Sequence, residues 1–298
     1  MTAFTIYQIK QQIWQLTNGV TRGTLPPFWL TDWLLHVINK PSSFLITDES
    51  YQLSDSELEQ FNTGVVKMQA GTPLAYLTGQ QEFWSLNFTV NEHTLIPRPD
   101  TEVLVEQVLN WIKSQPKILG EDNKPKRLLD LGTGSGCIAI SLAHELKHQL
   151  KYGRWQTVAV DLSAEALKVA KHNAAINDVA DIDFVQSSWY EELSTQDEHL
   201  FDVIVSNPPY IDETDEHLVR LVAEPISALS APNHGLADIE HIVRYAPQHL
   251  HAGGILAIEH GYDQGAAVRQ ILSDKGFSAV QTVQDFGGND RVTLGQIG

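Results

Sequence analysis

Four consecutive residues, Asn207, Pro208, Pro209 and Tyr210, have the types needed to grip a planar NH2 group. The side chain of Asn207 and the main chain of Pro208 each offer a carbonyl oxygen that accepts a hydrogen bond. The prolines stiffen the backbone and lower the entropy lost on binding, and the ring of Tyr210 offers a face for stacking. We call these four residues the clamp. They predict a site for an amide or an exocyclic amine, although the tetrapeptide alone also fits a turn capped by the Asn.

The clamp follows a predicted strand. Residues 203–206 are small, apolar or β-branched and run into the double proline, which a central strand cannot contain. The strand therefore ends at Asn207. Ligands of open α/β sheets bind outside the carboxyl ends of the strands, so we expect the clamp at that edge of a sheet.

A glycine-rich segment follows another predicted strand, at residues 128–131. We call it the glycine loop, and it consists of Gly132, Thr133, Gly134, Ser135 and Gly136. Glycine lets the backbone approach a ligand closely, and the N-terminus of the following helix favours negative charge. The dinucleotide fingerprint needs a third glycine where this chain has Cys137. The looser spacing is more usual around S-adenosylmethionine, whose ammonium group Asp130 could serve directly or through water.

Two further strands are followed by side chains that suit the same ligand. Asp161 ends residues 157–161 and can accept hydrogen bonds from both hydroxyls of a ribose. Ser163 is expected to cap the next helix. Trp189 follows residues 182–186 and can stack on an adenine, to which Ser188 can hydrogen-bond; packing of Trp189 in the core remains the alternative.

Composition argues against several classes of protein. The net charge of −17 opposes nonspecific binding to nucleic acid or anionic membrane. The single cysteine, Cys137, rules out an internal disulfide and fits a reducing compartment. We see no apolar run that could span a bilayer, no secretion signal, and no histidine or cysteine spacing typical of a metal site.

The first 80 residues are predicted to form a small helical domain. Ile6, Ile9, Ile13 and Leu16 recur at helical spacing, and residues 28–38 indicate a second helix. A Ser and a Glu three positions apart open a third helix as a capping box at residues 54–57. Contact with a macromolecular substrate is the hypothesis for this domain.

After the helical domain come residues typical of turns and then a segment in which apolar and polar residues alternate. Residues 71–79 read as a turn-rich connector because glycine and proline punctuate them, and residues 82–90 as a strand pair. Arg98, between two prolines, either faces the cleft or pairs with a surface acid. Asp100 or Thr101 is expected to cap the next helix.

Strands then alternate with helices to the C-terminus, where residues 277–281 and 291–294 are expected to close the sheet as a hairpin. This order predicts an α/β fold, a doubly wound sheet preceded by an all-helical domain. We assign residues 1–80 to the helical domain, 81–95 to a β-hairpin linker and 96–298 to the catalytic domain.

The glycine loop, Asp161 and the clamp together resemble a class I S-adenosylmethionine-dependent methyltransferase that acts on a planar nitrogen. Nearly the whole chain resembles the release factor glutamine N5-methyltransferase family, most weakly before residue 65. The further stretches that carry this resemblance are residues 71–79, 96–102, 224–225 with 228–229, 235–236, 259–261 and 289–291.

The resemblance implies a Rossmann-like methyltransferase that transfers a methyl group from S-adenosylmethionine to the side-chain N5 of a glutamine in peptide chain release factors. It implies substrate and catalytic roles for Asn207, Pro208, Pro209 and Tyr210. The cofactor positions that it implies are Gly132, Thr133, Gly134, Ser135, Gly136, Asp161, Trp189 and Asn207. We expect a cytoplasmic monomer without stable contacts to nucleic acid or membrane.

Three positions depart from the family pattern. Ser188 stands where the family often has an acid, residues 218–224 lack the usual Arg-Phe, and residues 67–69 replace arginines. The alternatives are methylation of a glutamine in a ribosomal protein and methylation of adenine N6 or cytosine N4 in a nucleic acid, because the clamp also fits a base amine. A cofactor-binding module without catalysis is the non-enzymatic alternative.

Overall fold

The computed structural model describes residues 4–18, 25–115, 125–149 and 154–298. The chain divides into two compact units, Met1–Gly79 and Gln80–Gly298. The β-hairpin that follows Gly79 falls within the larger unit. Its role as a linker remains a prediction. Within the described ranges, no helix combines the length and the apolar character needed to cross a bilayer.

The smaller unit is helical. Its helices are α1 (Ile6–Asn18), α2 (Pro27–Ile38), α3 (Phe44–Thr47), α4 (Asp55–Gln69) and α5 (Leu74–Thr78). The apolar faces of α1, α2 and α4 meet in one core that includes Ile9, Leu34 and Phe61, all fully buried. The three longer helices match the sequence periodicity, and the single-turn helix α3 was not predicted.

The capping box at the start of α4 is confirmed. The Ser54 hydroxyl accepts from the Glu57 amide at 3.3 Å, and the Glu57 carboxylate accepts from the Ser54 amide at 2.7 Å. The prediction that residues 71–79 form a turn-rich connector is wrong in part, because α5 occupies their centre. Pro73 stands at its N-cap and Gly79 at its C-cap with φ 71°, so the punctuating residues bracket a short helix.

All the strands in the described part of the chain lie in the larger unit. They are β1 (Gln80–Phe83), β2 (Leu86–Thr89), β3 (Lys126–Leu131), β4 (Trp155–Asp161), β5 (Asp183–Gln186), β6 (Phe201–Ser206), β7 (Ile211–Asp212), β8 (Ser230–Ala231), β9 (Leu250–Glu259), β10 (Phe277–Gln284) and β11 (Asp290–Ile297). Its helices are α6 (Glu102–Ser114), α7 (Cys137–His144), α8 (Ala164–Ile176), α9 (Ala237–Tyr245) and α10 (Gly265–Asp274).

The main sheet has seven strands in the order β10-β11-β9-β6-β3-β4-β5. The strands from β9 to β5 are parallel, and β11 is antiparallel to both of its neighbours. Helices α6, α7 and α8 contribute to the core on one face, and α9 and α10 to the core on the other. The doubly wound α/β prediction is therefore confirmed, as is the closing hairpin of β10 and β11.

The strand order reverses between β3 and β6. From β3 the chain first builds outward to β4 and β5, and then crosses back to add β6 and β9 on the opposite side. A crevice opens at such a reversal, outside the carboxyl ends of the two strands, and ligands bind there. The glycine loop follows β3 and the clamp follows β6, so the topology brings both predicted sites to this crevice.

Candidate active site

The register of the parallel strands sets the glycine loop beside the clamp. Leu131 of β3 pairs with Ser206 of β6, and the Ser206 hydroxyl donates to the Leu131 carbonyl at 2.8 Å. Gly132 and Asn207 are the next residues of the two chains, so they leave the sheet side by side. The crevice is therefore bounded by the glycine loop on one side and the clamp on the other.

Backbone hydrogen bonds from β4 hold the glycine loop. The amides of Gly132 and Thr133 both donate to the Val160 carbonyl at 2.9 Å. The Gly134 amide donates to Asp161 Oδ2 at 2.8 Å, and Gly134 has φ 55°, where a side chain is strained. Apart from its chain neighbours, no described residue has an atom within 4 Å of the Cβ position at Gly134, so the loop presents open space to a ligand.

Asp161 lies at the end of β4 and is shared between two amides. Its Oδ1 accepts from Ser163 and its Oδ2 from Gly134, both at 2.8 Å. Each carboxylate oxygen can accept a further hydrogen bond, which suits the two hydroxyls of a ribose. Burial raises the pKa of Asp161. The Ser163 hydroxyl accepts from Ala166 at 3.2 Å, which confirms the predicted helix cap.

Asp130 is fully buried beneath the glycine loop, and burial raises the pKa of its carboxyl group to about 7. Its Oδ2 accepts from the Thr133 hydroxyl at 2.7 Å and from the Ala139 amide at 3.2 Å. Its Oδ1 is buried and has no hydrogen-bond partner in the described part of the chain. A buried carboxylate oxygen without a partner beneath the glycine loop fits the ammonium group of S-adenosylmethionine.

Trp189 lies against the glycine loop and also packs on the core. A Cβ atom at Gly132 would lie 3.4 Å from Cζ3 of the indole ring. The ring is partly buried against the core on that face of the sheet, and the indole N–H donates to Asp238. The structure therefore places Trp189 beside the predicted cofactor residues while retaining its contact with the core.

Side chains from other segments fix the clamp. Asn207 Nδ2 donates to Thr101 Oγ1 at 3.2 Å, and the Tyr210 hydroxyl donates to Glu259 Oε1 at 3.1 Å. The Tyr210 carbonyl accepts from Gln264 Nε2 at 2.9 Å. The amide nitrogen of Asn207 donates to Thr101, and within the described ranges no hydrogen bond to its carbonyl oxygen is seen, so this oxygen can accept from a ligand.

Thr101 and Glu259 were not assigned to the site by sequence reasoning. Thr101 was expected as a helix cap, yet its side chain makes no capping bond and instead holds Asn207. Glu259 entered only through the family resemblance. The pairing of Ser206 with Ile258 places Glu259 beside Asn207, and an acid at the end of an apolar strand was the available signal.

Arg98 pairs with Glu224, so the predicted pairing with a surface acid is wrong, and the alternative that Arg98 faces the cleft stays a prediction. The partner is a buried acid and not a surface acid, and Glu224 Oε2 also accepts from the Ile96 amide at 3.0 Å. Glu224 thereby ties the segment after the clamp to the extended segment before α6. Asn173, which was not predicted, bonds Thr89 and the Ser135 carbonyl and so ties β2 to the glycine loop.

The sheet has seven strands and is doubly wound, and the glycine loop and the Asn-Pro-Pro-Tyr clamp lie where its strand order reverses. These features define a Rossmann-like methyltransferase. The model of the methyltransferase small domain matches residues 117–288, and that of the PrmC N-terminal domain matches residues 31–79. The chain belongs to the release factor glutamine methyltransferase family.

Several relatives carry that name. The protein from Vibrio cholerae is 47% identical over 267 residues, which cover 88% of this chain and 87% of the relative. The protein from Escherichia coli K12 is 42% identical over 265 residues, 88% of this chain and 89% of the relative. A methyltransferase structure from Pyrococcus furiosus shares the fold, with a TM-score of 0.50, 15% identity, and coverage of 80% of this chain and 99% of that chain.

Proposed function

We propose that the protein transfers a methyl group from S-adenosylmethionine to the side-chain N5 of a glutamine in peptide chain release factors. The observation that carries the proposal is the adjacency of the glycine loop and the clamp, which follow the paired residues Leu131 and Ser206. Donor and acceptor sites then share one crevice. The names of the relatives support the glutamine of a release factor as the acceptor.

S-adenosylmethionine, when bound, supplies a methyl group on a sulfonium sulfur. We assign the ribose to Asp161, whose oxygens retain free lone pairs, and the ammonium group to Asp130, whose Oδ1 has no partner among the described residues. We assign the adenine to Trp189 and Ser188. The glycine loop, with open space at Gly134, admits the rest of the molecule.

The clamp would orient the acceptor amide. An amide nitrogen is a weak nucleophile because its lone pair is delocalised, so position and electrostatics must do most of the catalysis. Asn207 Oδ1 and the Pro208 carbonyl would accept the two N–H groups of the glutamine amide. Both oxygens then lie where positive charge develops on the nitrogen. Tyr210 would pack on the amide plane.

No general base is required in the methyl-transfer step. The excess proton on the nitrogen can leave after transfer, when the nitrogen carries positive charge. Catalysis by the clamp therefore depends on the direction of two fixed acceptor oxygens. A substitution that removes the side-chain carbonyl of Asn207 should lower turnover and leave the affinity for S-adenosylmethionine unchanged.

The test is transfer of labelled methyl to purified release factors, with mapping of the modified residue by mass spectrometry. A ribosomal protein and DNA serve as parallel acceptors, because the clamp also fits their amide or amine groups. We expect one methylated glutamine in a release factor. Methyl transfer to the ribosomal protein or to DNA, without transfer to a release factor, would contradict the proposal. Absence of transfer to any acceptor would favour a non-catalytic module.

Release factors act at the ribosome, so we propose that the enzyme works in the cytoplasm. A monomeric state and the absence of stable nucleic acid binding remain predictions. The measured mass in solution tests the first, and binding of labelled RNA at physiological salt tests the second.

A further inference from the structure

Asn173 of α8 lies fully buried between the glycine loop and the β-hairpin formed by β1 and β2. Its Oδ1 accepts from the Thr89 amide at 2.8 Å. Its Nδ2 donates to the Thr89 carbonyl at 3.0 Å and to the Ser135 carbonyl at 2.9 Å. The two N–H groups of the side-chain amide are therefore both used, one on the hairpin and one on the glycine loop. The proposed mechanism gives Asn173 no task.

The contact between Asn173 and Thr89 resembles the pairing of two strands. A residue of an antiparallel neighbour would exchange two hydrogen bonds with Thr89, and the side-chain amide of Asn173 does the same. Four positions further along α8, Asn177 Nδ2 donates to the Asn87 carbonyl at 3.0 Å. Residues two apart on a strand and four apart on a helix share one side, so both asparagines bind the same edge of β2. The side chains of α8 thus take the place of a third strand beside β2.

The hairpin is itself fixed, so it can support other parts of the site. Phe83 and Phe88 are buried in the core to which α6 and α7 contribute. At the turn, the Trp84 amide donates to Glu102 Oε1 at 2.8 Å, and the indole N–H of Trp84 donates to Glu145 Oε1 at 3.0 Å. Contacts at its turn, on its buried face and along its edge therefore hold the hairpin in place.

Asn173 holds the last part of the glycine loop. The hydrogen bonds to β4 hold residues 132–134, and the Ser135 carbonyl that follows accepts from Asn173. Helix α8 also packs closely at this point, because a Cβ atom at Gly136 would lie 3.2 Å from Cβ of Ala170, three positions before Asn173. The peptide between Ser135 and Gly136 is thus set from α8, where the loop enters α7.

We infer that Asn173 is a positioning residue that couples donor binding to the β-hairpin, by fixing the Ser135 peptide of the glycine loop against Thr89 of β2. The inference rests on the proposed function, since it takes the glycine loop as the site of S-adenosylmethionine. It links that site to a strand residue 84 positions before Asn173 in the chain. Coupling between two sites is reciprocal, so the bound donor should in turn stabilise the contact between Asn173 and Thr89.

The decisive variants remove one asparagine at a time. Asn173→Ala removes the bond to Ser135 together with a contact to the hairpin, whereas Asn177→Ala removes a contact to the hairpin and leaves the bond to Ser135. We expect the Kd for S-adenosylmethionine, measured by calorimetry, to rise about tenfold in Asn173→Ala, which corresponds to the loss of one hydrogen bond. In Asn177→Ala it should stay within about twofold of wild type. At saturating donor, kcat for release factor methylation should stay near wild type in Asn173→Ala, because the clamp is unchanged.

The split between Kd and kcat separates positioning from folding. Both variants lose hydrogen bonds and should unfold more easily, so a loss of stability is expected from either role. A donor Kd in Asn173→Ala within about twofold of wild type, or equal rises of the donor Kd in the two variants, would overturn the inference. A fall of kcat at saturating donor as large as the rise of the donor Kd would also overturn it, because Asn173 would then support the whole site.

A measurement on the wild-type protein does not depend on the folding of Asn173→Ala. The exchange rate of the Thr89 amide hydrogen, followed by NMR, reports the opening of its bond to Asn173. We expect saturating S-adenosylmethionine to slow this exchange about tenfold, because the donor binds the closed form. Exchange of the Asp274 amide, at the exposed end of α10, should not change.

The exchange experiment also distinguishes failure of the inference from failure of the proposed function. If calorimetry shows that the donor binds and exchange of the Thr89 amide does not change, the coupling through Asn173 is refuted and the donor site remains. If the wild-type protein does not bind S-adenosylmethionine, the proposed function is refuted, and the inference falls with it.

Discussion

The glycine loop and the clamp stand side by side but are held in different ways. Backbone amides and the neighbouring strand β4 hold the glycine loop, through the Val160 carbonyl and Asp161. Side chains from distant parts of the chain hold the clamp: Thr101 is 106 positions from Asn207, and Glu259 is 49 positions from Tyr210. The glycine loop is thus held mainly from the neighbouring strand, and the clamp is held by side chains that are far apart in the sequence.

This difference should separate the effects of substitutions. Substitutions beside the glycine loop should weaken donor binding, and a higher donor concentration should restore the activity. Changes in the clamp should slow the chemical step at any donor concentration, because the clamp acts on the orientation of the acceptor. The following substitutions test that division, from the largest expected effect to the smallest.

Asn207→Ala should have the largest effect. It removes one of the two oxygens that accept from the glutamine amide, and we expect kcat to fall about 100-fold to 1,000-fold, as for other fixed electrostatic contacts. The donor Kd, measured by calorimetry, should stay close to wild type. Asn110→Ala, at an exposed position on α6, is the control. A normal kcat in Asn207→Ala would remove the clamp from the mechanism.

Asp161→Ala should act on the donor instead. It removes the acceptor for the ribose and frees the amides of Gly134 and Ser163. We expect the donor Kd to rise about 100-fold, which corresponds to the free energy of the lost hydrogen bonds to a charged group. At saturating donor, kcat should be largely restored. Asp183→Ala, an exposed acid at the opposite end of the sheet, should change neither value. A donor Kd that did not change in Asp161→Ala would contradict the assignment of the ribose.

Asp130→Asn should change how stability depends on pH. The folded pKa of Asp130, about 7, lies above its ordinary value of 3.8, so its contribution to stability is present below pH 4 and is lost as pH rises through 7. Without donor, the wild type should lose about 2 kcal/mol of unfolding free energy between pH 5 and 8. Glu259, whose pKa is also about 7, adds to the same trend.

The measurement is denaturant unfolding at several pH values, with Asp274→Asn, an exposed acid at the end of α10, as the control. Asp130→Asn should have a flatter pH profile than the wild type, and Asp274→Asn should have the wild-type slope. A wild-type stability that rises steadily from pH 5 to 8 would contradict the burial argument for Asp130.

Ser54→Ala should have the smallest effect, because it lies outside both the glycine loop and the clamp. It removes the cap of α4, and we expect a loss of about 1 kcal/mol in unfolding free energy. Ser56→Ala, two positions along the same helix, is the matched control. If Ser54→Ala lost more methyl-transfer activity than folded fraction, the helical unit would have a part in catalysis.

The same difference explains what could be predicted from the sequence. The glycine loop and Asp161 are local in the chain, so spacing alone indicated their shared ligand. The doubly wound α/β class followed from alternating strands and helices. The short helix α5 was missed because the glycines and prolines that mark turns also bracket a single helical turn.

The supports of the clamp could not be predicted in this way. Thr101 and Glu259 reach Asn207 and Tyr210 only through the pairing of β6 with β9 and the position of the segment before α6. No local pattern marks a threonine whose hydroxyl faces an amide far along the chain. Arg98 shows the same limit, since its buried partner Glu224 lies 126 residues away.

The most direct test is a single-turnover comparison of Asn207→Ala and Asp161→Ala, with release factor as acceptor and donor at saturation. The rate of methyl transfer in one turnover reports the chemical step without product release. We predict a slow rate in Asn207→Ala and a rate near wild type in Asp161→Ala. Equal rates in the two variants, or the reverse order, would contradict an acceptor site formed by the clamp beside a donor site formed by the glycine loop.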